Sequence, residues 1–298
     1  MKKEFSAKML WQLTRPHTLT ASVIPVLIGT ALALFYTNIH IGLFLAMLFA
    51  CLWIQIATNL FNEYYDFKRG LDTEDSVGKG GAMFEYGMNP KTVLRMAIIC
   101  YIIALLLGVY ICMSTSWWLA VIGAVGMSIG YFYTGGPYPI AYTPLGEFFA
   151  GLCMGSIFIL IAFYIQVDSI NLFSVLVSIP IAFLVGAINL ANNIRDIEED
   201  TVGGRKTLAI LVGRKRAIDV LASMFIIAYI WIIALVIAGV ASPWLLLVII
   251  SLPKPIQAIK SFRNGTGPSM ITAMKSTAQT NTIFGVLLAL GVTVSYFI

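Results

Sequence analysis

The sequence predicts an all-α polytopic membrane protein: a single domain over residues 1–298, with about nine transmembrane helices in one bundle. Three observations lead there. Hydrophobic residues make up 59% of the chain and charged residues only 11%, with a mean hydropathy of +0.89, whereas a soluble domain carries roughly 25% charged residues. The apolar residues run continuously in segments of about 20, the length a helix needs to cross a bilayer. They are not amphipathic in the soluble sense, because a helix in lipid can be apolar all round. Nor do they show the alternating segments of about ten residues that mark a membrane barrel.

The first span, approximately 18–36, is too long for the apolar region of a cleavable signal, and no small-residue cleavage site stands out, so it is expected to remain. The second, approximately 41–61, leads into an acidic stretch, and the third and fourth follow at approximately 92–113 and 117–134. The fifth, approximately 144–166, has Glu147 at its start, and the sixth, approximately 170–194, leads into a second acidic stretch. Spans at approximately 217–239, 243–260 and 280–298 complete the set. Cys51, Cys100, Cys112 and Cys153 lie inside these runs, without C-x-x-C spacing or a nearby His cluster, and read as small buried apolar residues. His17 and His40 are too far apart and too few for a metal site.

A net charge of +5 and a pI near 9.0 suggest an anionic partner, but placement argues against nucleic acid. All 19 Lys and Arg residues fall at the N-terminus or near the loops 62–91, 134–143, 195–216 and 254–279. The excess of basic residues on alternate loops puts the N-terminus in the cytoplasm and the C-terminus outside. Lys2, Lys3, Lys8 and Lys260 read as contacts to anionic membrane lipids.

Ten of the 14 acidic residues fall in two runs, Glu63 to Glu85 and Asp196 to Asp200, each at the end of a long apolar segment. Carboxylates placed there are functional-site candidates. Asn59, Asn62, Asp66 and Asn189, Asn192, Asp196 both spell N-x-x-N-x-x-x-D, followed by Asp72 in one case and Asp200 in the other. If each helix continues through its motif, Asn59, Asn62 and Asp66 form one polar stripe and Asn189, Asn192, Asp196 and Asp200 another. Facing acidic stripes suit Mg²⁺, which takes one or two carboxylates plus a substrate's phosphates. Lys68, Arg69, Arg195, Arg205 and Lys206 lie among the acids. Carboxylates alone would suit a cation transporter; carboxylates interleaved with basic groups suit a metal-bridged diphosphate, whose oxygens need both partners.

Further motifs are Leu13-Thr14-Arg15-Pro16 before the first span, Asn62-Glu63-Tyr64-Tyr65-Asp66 with Gly70 and Asp72, Tyr131-Phe132-Tyr133-Thr134-Gly135-Gly136-Pro137, and Asn193-Ile194-Arg195-Asp196 continuing to Gly204-Arg205-Lys206-Thr207. Together they resemble the UbiA family of intramembrane prenyltransferases, in its MenA-type form, which acts on 1,4-dihydroxy-2-naphthoate in menaquinone synthesis. The resemblance implies Asp66, Asp72, Asp196 and Asp200 as catalytic Mg²⁺ ligands oriented by Asn62 and Asn192. It implies polyprenyl diphosphate and 1,4-dihydroxy-2-naphthoate as substrates, and a central cavity that lets the prenyl tail stay in the bilayer. Tyr131, Tyr133 and Tyr65 would face an allylic cation, and Arg15 or Arg195 would anchor the acceptor's carboxylate.

The chain departs from the family pattern at three points. Glu63 stands where the first motif usually has Asp, and Gly70 where it usually ends in Asp, so Asp66 and Asp72 are the better ligands. Gly135 stands where many relatives have a Lys four residues after the Tyr that aligns with Tyr131. Gly78, Gly80 and Gly81 suit a loop that closes over the diphosphate, and Glu147 either contacts substrate or forms an interfacial structural pair. Two other readings stay open. A relative could act on another acceptor, such as 4-hydroxybenzoate or a glycerol phosphate. A secondary transporter would place its charges near the bilayer midplane rather than at span ends.

Overall fold

A computed structural model of the chain describes residues 7–71, 83, 87–265 and 267–298. Asp72, expected as a metal ligand, lies outside the described residues, as do Glu74, Asp75, Gly78, Gly80, Gly81, Glu85, Lys2 and Lys3. Among the described residues there is no strand. The helices, in chain order, are α1 (Ala7–Leu13), α2 (Pro16–Ala33), α3 (Ile41–Lys68), α4 (Pro90–Ser114), α5 (Trp118–Thr134), α6 (Gly146–Val167), α7 (Leu172–Arg195), α8 (Ile197–Val202), α9 (Leu208–Val212), α10 (Arg214–Ile237), α11 (Pro243–Asn264) and α12 (Gly267–Phe297). Seven of these, α3, α4, α6, α7, α10, α11 and α12, are long and apolar enough to cross a membrane, and Thr18–Ala33 and α5 are shorter apolar helices. Large apolar side chains such as Ile102, Leu106, Ile230 and Ile237 face outward, as a lipid-facing surface requires.

Three helices differ from the expected spans in ways that matter. The second was expected to end near residue 61, but α3 continues to Lys68 and carries the first motif as helix. The last was expected to begin near 280, but α12 begins at Gly267. The hydroxyls of Thr272, Thr277 and Thr280 turn back onto the carbonyl oxygens of Pro268, Ala273 and Ser276 at 3.2, 2.9 and 2.8 Å, so this polar stretch satisfies itself within the helix. α6 contains a π-helical turn over Gly151–Ile157. A Cβ at Gly151 would lie 2.4 Å from the carbonyl oxygen of Ala182, and one at Gly155 2.5 Å from the Cα of Ala182. The two glycines thus let α6 and α7 touch backbone to backbone.

α3 packs mainly against α4, α2 against α12 and the second half of α6, and α7 against the π turn, α10 and α12. The largest core cluster threads α2, α6, α7, α10 and α12 through Ile28, Phe163, Leu184, Leu221 and Phe284. This packing leaves the C-terminal ends of α3 and α7, which carry the two acidic motifs, beside each other.

Candidate active site

α3 is unbroken through its motif, so Asn59, Asn62 and Asp66 share a face as expected. They do different work. Asn59 Nδ2 donates to the Thr14 carbonyl at 2.8 Å and to Thr18 Oγ1 at 3.0 Å, and its Oδ1 accepts from Gln55 Nε2 at 3.2 Å. It fastens the start of α2 onto α3. Buried Glu63 accepts from Arg15 Nη2 at 3.3 Å on Oε2 and from the Met83 N–H at 2.8 Å on Oε1. One carboxylate therefore anchors both the segment before α2 and the backbone at buried Met83. Arg15 caps α2 in the left-handed region, at φ 48°.

The second motif was expected to continue as one helix through Asp200. Instead α7 ends at Arg195, Asp196 caps it, and Asp200 sits on the short α8. Asp200 still reaches the first motif, because Arg205 joins the two: Nη2 lies 2.7 Å from Asp66 Oδ1, and Nη1 lies 3.0 Å from Asp200 Oδ1. The side chains of Asp66 and Asp200 are 19% and 8% exposed. Burial lifts the Asp200 carboxyl to about 6; Arg205 pulls it down, and the charges of Asp196, Asp66 and Glu199 push it up. Burial by itself would lower Arg205, but Asp66 and Asp200 hold it above its ordinary value. Arg195 grips Asp196 with Nε and Nη2, at 2.5 and 2.6 Å.

No group of three or more His, Cys, Asp or Glu side chains is set to hold a metal among the described residues. The donors that are present fit a hard cation nonetheless. Asp66, Asp196, Asp200 and Asn62 offer oxygen ligands, and Asn62 Oδ1 and Asp200 Oδ2 are buried without a hydrogen-bond partner.

Arg69 caps α3 and donates to the carbonyl oxygens of Thr134, at 2.5 Å, and Gly136, at 2.9 Å. Its guanidinium therefore straddles Gly135, the position at which no basic residue was expected. A Cβ at Gly135 would lie 2.7 Å from the Tyr131 carbonyl oxygen and 3.1 Å from the rings of both Tyr131 and Tyr65. The hydroxyls of those tyrosines meet at 2.7 Å. Both Arg69 and Arg205 also stand over the ring of Tyr142, at 5.3 and 5.2 Å from its centroid. Tyr133 Oη and Asn189 Nδ2 close on Gly146, where a Cβ would lie 3.1 and 3.0 Å from them. Glu147 is buried and accepts from Asn193 Nδ2 at 2.8 Å, which makes it an interfacial pair between α6 and α7. Lys68 and Lys206 are exposed at the rim, Lys68 5.9 Å above the Tyr64 ring.

A cavity of about 500 Å³ opens beside these groups. Its polar end presents Arg15, Thr18, Asn62, Tyr133, Asn189 and Asn192, and its long arm is apolar, lined by residues such as Leu105, Val109, Val121, Val125 and Ile161. The structure thus brings Asp66, Asp200, Arg205 and Arg69 together and sets Asn62, Asn192, Tyr133 and Arg15 along the cavity. Asp196 and Arg195 are occupied with each other. Sequence reasoning missed Tyr142, whose only signal was its place in the turn after Pro139, and the anchoring role of Glu63.

The profile of the UbiA prenyltransferase family matches residues 22–278. The 1,4-dihydroxy-2-naphthoate octaprenyltransferase of Bacillus subtilis (strain 168) is 67% identical over 297 residues, covering 99% of this chain and 96% of that protein. The UbiA prenyltransferase domain-containing protein 1 of Dictyostelium discoideum is 31% identical over 293 residues, covering 95% and 86%. Among solved structures, a UbiA homolog from Archaeoglobus fulgidus bound to DMAPP and Mg²⁺ superposes with a TM-score of 0.62 at 16% identity, covering 94% of this chain and 99% of that one. With a matching profile over most of its length, two paired acidic motifs and a shared helical fold, this chain belongs to the UbiA prenyltransferase family.

Proposed function

We propose that this integral membrane protein transfers a polyprenyl group from polyprenyl diphosphate to 1,4-dihydroxy-2-naphthoate. Diphosphate and the acceptor's carboxylate, as carbon dioxide, are released, and the product is demethylmenaquinol for menaquinone synthesis. The observation that carries the reading is the Arg205 bridge, which gathers Asp66 and Asp200 from the two motifs, whose Asn62 and Asn192 line an apolar cavity. The 67% identity to the Bacillus subtilis enzyme supports the acceptor. In this reading the seven long helices and the two shorter ones are the nine spans of one domain around a central cavity. The N-terminus and the acidic ends of α3 and α7 are cytoplasmic and the C-terminus is outside, as the Lys and Arg distribution supports.

Asp66, Asp72, Asp196 and Asp200 would hold Mg²⁺, which when bound supplies positive charge across the diphosphate oxygens. Arg205 and Arg69 present guanidinium donors to the departing diphosphate, with Lys68 and Lys206 at the rim. Donors fixed before the reaction stabilise charge that develops as the C1–O bond breaks. Of the three tyrosines expected to face an allylic cation, Tyr133 lines the cavity and offers its ring there, whereas Tyr65 and Tyr131 bond to each other and pack on the core beside α3. The apolar arm keeps the tail out of water, a gain of roughly 0.8 kcal/mol per CH₂, and excludes the water that would capture the cation. Of the two candidates for the acceptor's carboxylate, Arg15 lines the cavity and keeps a single 3.3 Å contact to Glu63, whereas Arg195 is gripped twice by Asp196, at 2.5 and 2.6 Å, so Arg15 takes that role.

The test is Mg²⁺-dependent formation of prenylated, decarboxylated product by purified protein from 1,4-dihydroxy-2-naphthoate and a polyprenyl diphosphate, with Asp66→Ala and Asp196→Ala beside it. Product from the parent and from neither variant is expected. Turnover only of 4-hydroxybenzoate or another acceptor would keep the diphosphate chemistry and discard the naphthoate. Silence on all acceptors, together with substrate uptake into proteoliposomes, would replace the enzyme with a transporter.

A further inference from the structure

We propose that Tyr142 is a positioning residue for the diphosphate, holding the guanidinium groups of Arg69 and Arg205 against one ring so that both remain over the site when the carboxylates change partners. This rests on the prenyl-transfer reading. Tyr142 ends the 3-10 turn Ile140–Tyr142 between α5 and α6. The two guanidinium carbons lie 5.3 and 5.2 Å from its ring centroid, inside the range in which a cation is attracted to an aromatic face. Two like charges gathered at one ring repel each other, so some feature must offset that repulsion.

The tethers of the two arginines differ. Arg69 donates to two backbone carbonyl oxygens, which orient its guanidinium without neutralising it. Arg205 is tied to Asp66 and Asp200, the same carboxylates that the proposed mechanism assigns to a divalent cation. Were they to hold the cation, Arg205 would lose both partners and keep the Tyr142 ring. The backbone fixes the ring beside it, because the Lys206 N–H donates to the Tyr142 carbonyl oxygen at 2.9 Å. The turn carrying the ring and the segment carrying Arg205 therefore move as one, and the ring holds Arg205 where it meets phosphate oxygens.

Tyr142→Phe keeps the ring and Tyr142→Leu removes it while keeping bulk. Binding of inorganic pyrophosphate with Mg²⁺ to the purified full chain, measured by calorimetry, reads the site independently of the acceptor. Tyr142→Leu is expected to weaken pyrophosphate about tenfold, as the loss of two such contacts implies. It should raise the KM for geranyl diphosphate by a similar factor and leave the KM for 1,4-dihydroxy-2-naphthoate within about twofold of the parent. Tyr142→Phe keeps both ring contacts and loses only the hydroxyl's hydrogen bond to Arg205, so it should stay within about threefold of the parent in all three. Pyrophosphate binding unchanged in Tyr142→Leu would overturn the proposal. So would a rise of both KM values together with a lower melting temperature, which would mark a merely structural residue. A folded parent that binds no pyrophosphate with Mg²⁺ would overturn the prenyl-transfer reading and the proposal with it.

Discussion

Arg205→Ala removes a cation shared by carboxylates from two motifs, one of which, at Asp66, lies 139 residues before it. Breaking a buried ion pair costs about 3–5 kcal/mol, whereas an exposed pair contributes about 0–1 kcal/mol. Asp66 and Asp200, at 19% and 8% side-chain exposure, lie nearer the buried limit, and two contacts at 2.7 and 3.0 Å are lost together. The expected loss for the cation-free protein is therefore about 2–4 kcal/mol. Part of it is the penalty of leaving the buried Asp200 carboxyl without its partner, so Arg205→Ala with Asp200→Asn should recover about 1–2 kcal/mol. Cys51, Cys100 and Cys112 are buried free thiols, so a thiol-reactive dye reports thermal unfolding in detergent micelles without added labels. Arg263→Ala is the control, since its pair with Asp219 is 64% and 58% exposed and should shift stability by less than about 0.5 kcal/mol. If Arg205→Ala melts no lower than Arg263→Ala, or if the double variant melts as low as the single one, the bridge does not hold the motifs together.

Glu63→Gln keeps an acceptor for the Met83 N–H and loses the Arg15 pair, whereas Glu63→Ala abandons both; the alanine variant should melt lower, by about 1–3 kcal/mol. Gly155→Ala pushes a Cβ to 2.5 and 2.7 Å from the backbone Cα and N of Ala182 and should cost about 1–3 kcal/mol in the same melt. Gly108→Ala, with nothing within 4 Å, should be neutral or slightly stabilising. Gly126 also lines the cavity with nothing within 4 Å of an added Cβ. Gly126→Phe should slow transfer from an octaprenyl diphosphate while sparing dimethylallyl diphosphate, as competition between the two donors would measure.

The helices were legible because a bilayer imposes a length and a continuous apolar composition on each span, and both are local properties. Their ends were less legible. Hydropathy reads Thr272 and Thr277 as polar and so misses the start of α12, although the helix itself satisfies their hydroxyls. Spacing placed Asn62, Asp66, Asn192 and Asp196 toward the ends of two long helices, but did not give the break at Asp196, which puts Asp200 on a separate helix. Partners were the least legible. Glu63 looked like a displaced ligand, yet its oxygens go to Arg15 and Met83, contacts 48 and 20 residues away in the chain that only tertiary packing creates. Gly135 looked like a missing lysine. The structure shows that a Cβ there would lie 2.7 Å from the Tyr131 carbonyl oxygen and crowd the Tyr65 and Tyr131 rings, and that Arg69 brings its charge to the same peptides from α3.

The charge balance of the site explains why its acids and bases are interleaved. Asp66, Asp196 and Asp200 face Arg205, Arg195 and Arg69, so three carboxylates meet three guanidiniums, and two of the guanidiniums are already engaged by the carboxylates. A diphosphate arriving alone would meet carboxylates with little positive charge to spare, in a partly buried place where an uncompensated anion is costly. Basic residues by themselves would bind diphosphate and hold the product. In the proposed reading, the positive charge needed for binding would arrive with the substrate, as a cation that the same carboxylates could share. The divalent ion would then serve diphosphate binding itself, and not only the breaking of the C1–O bond.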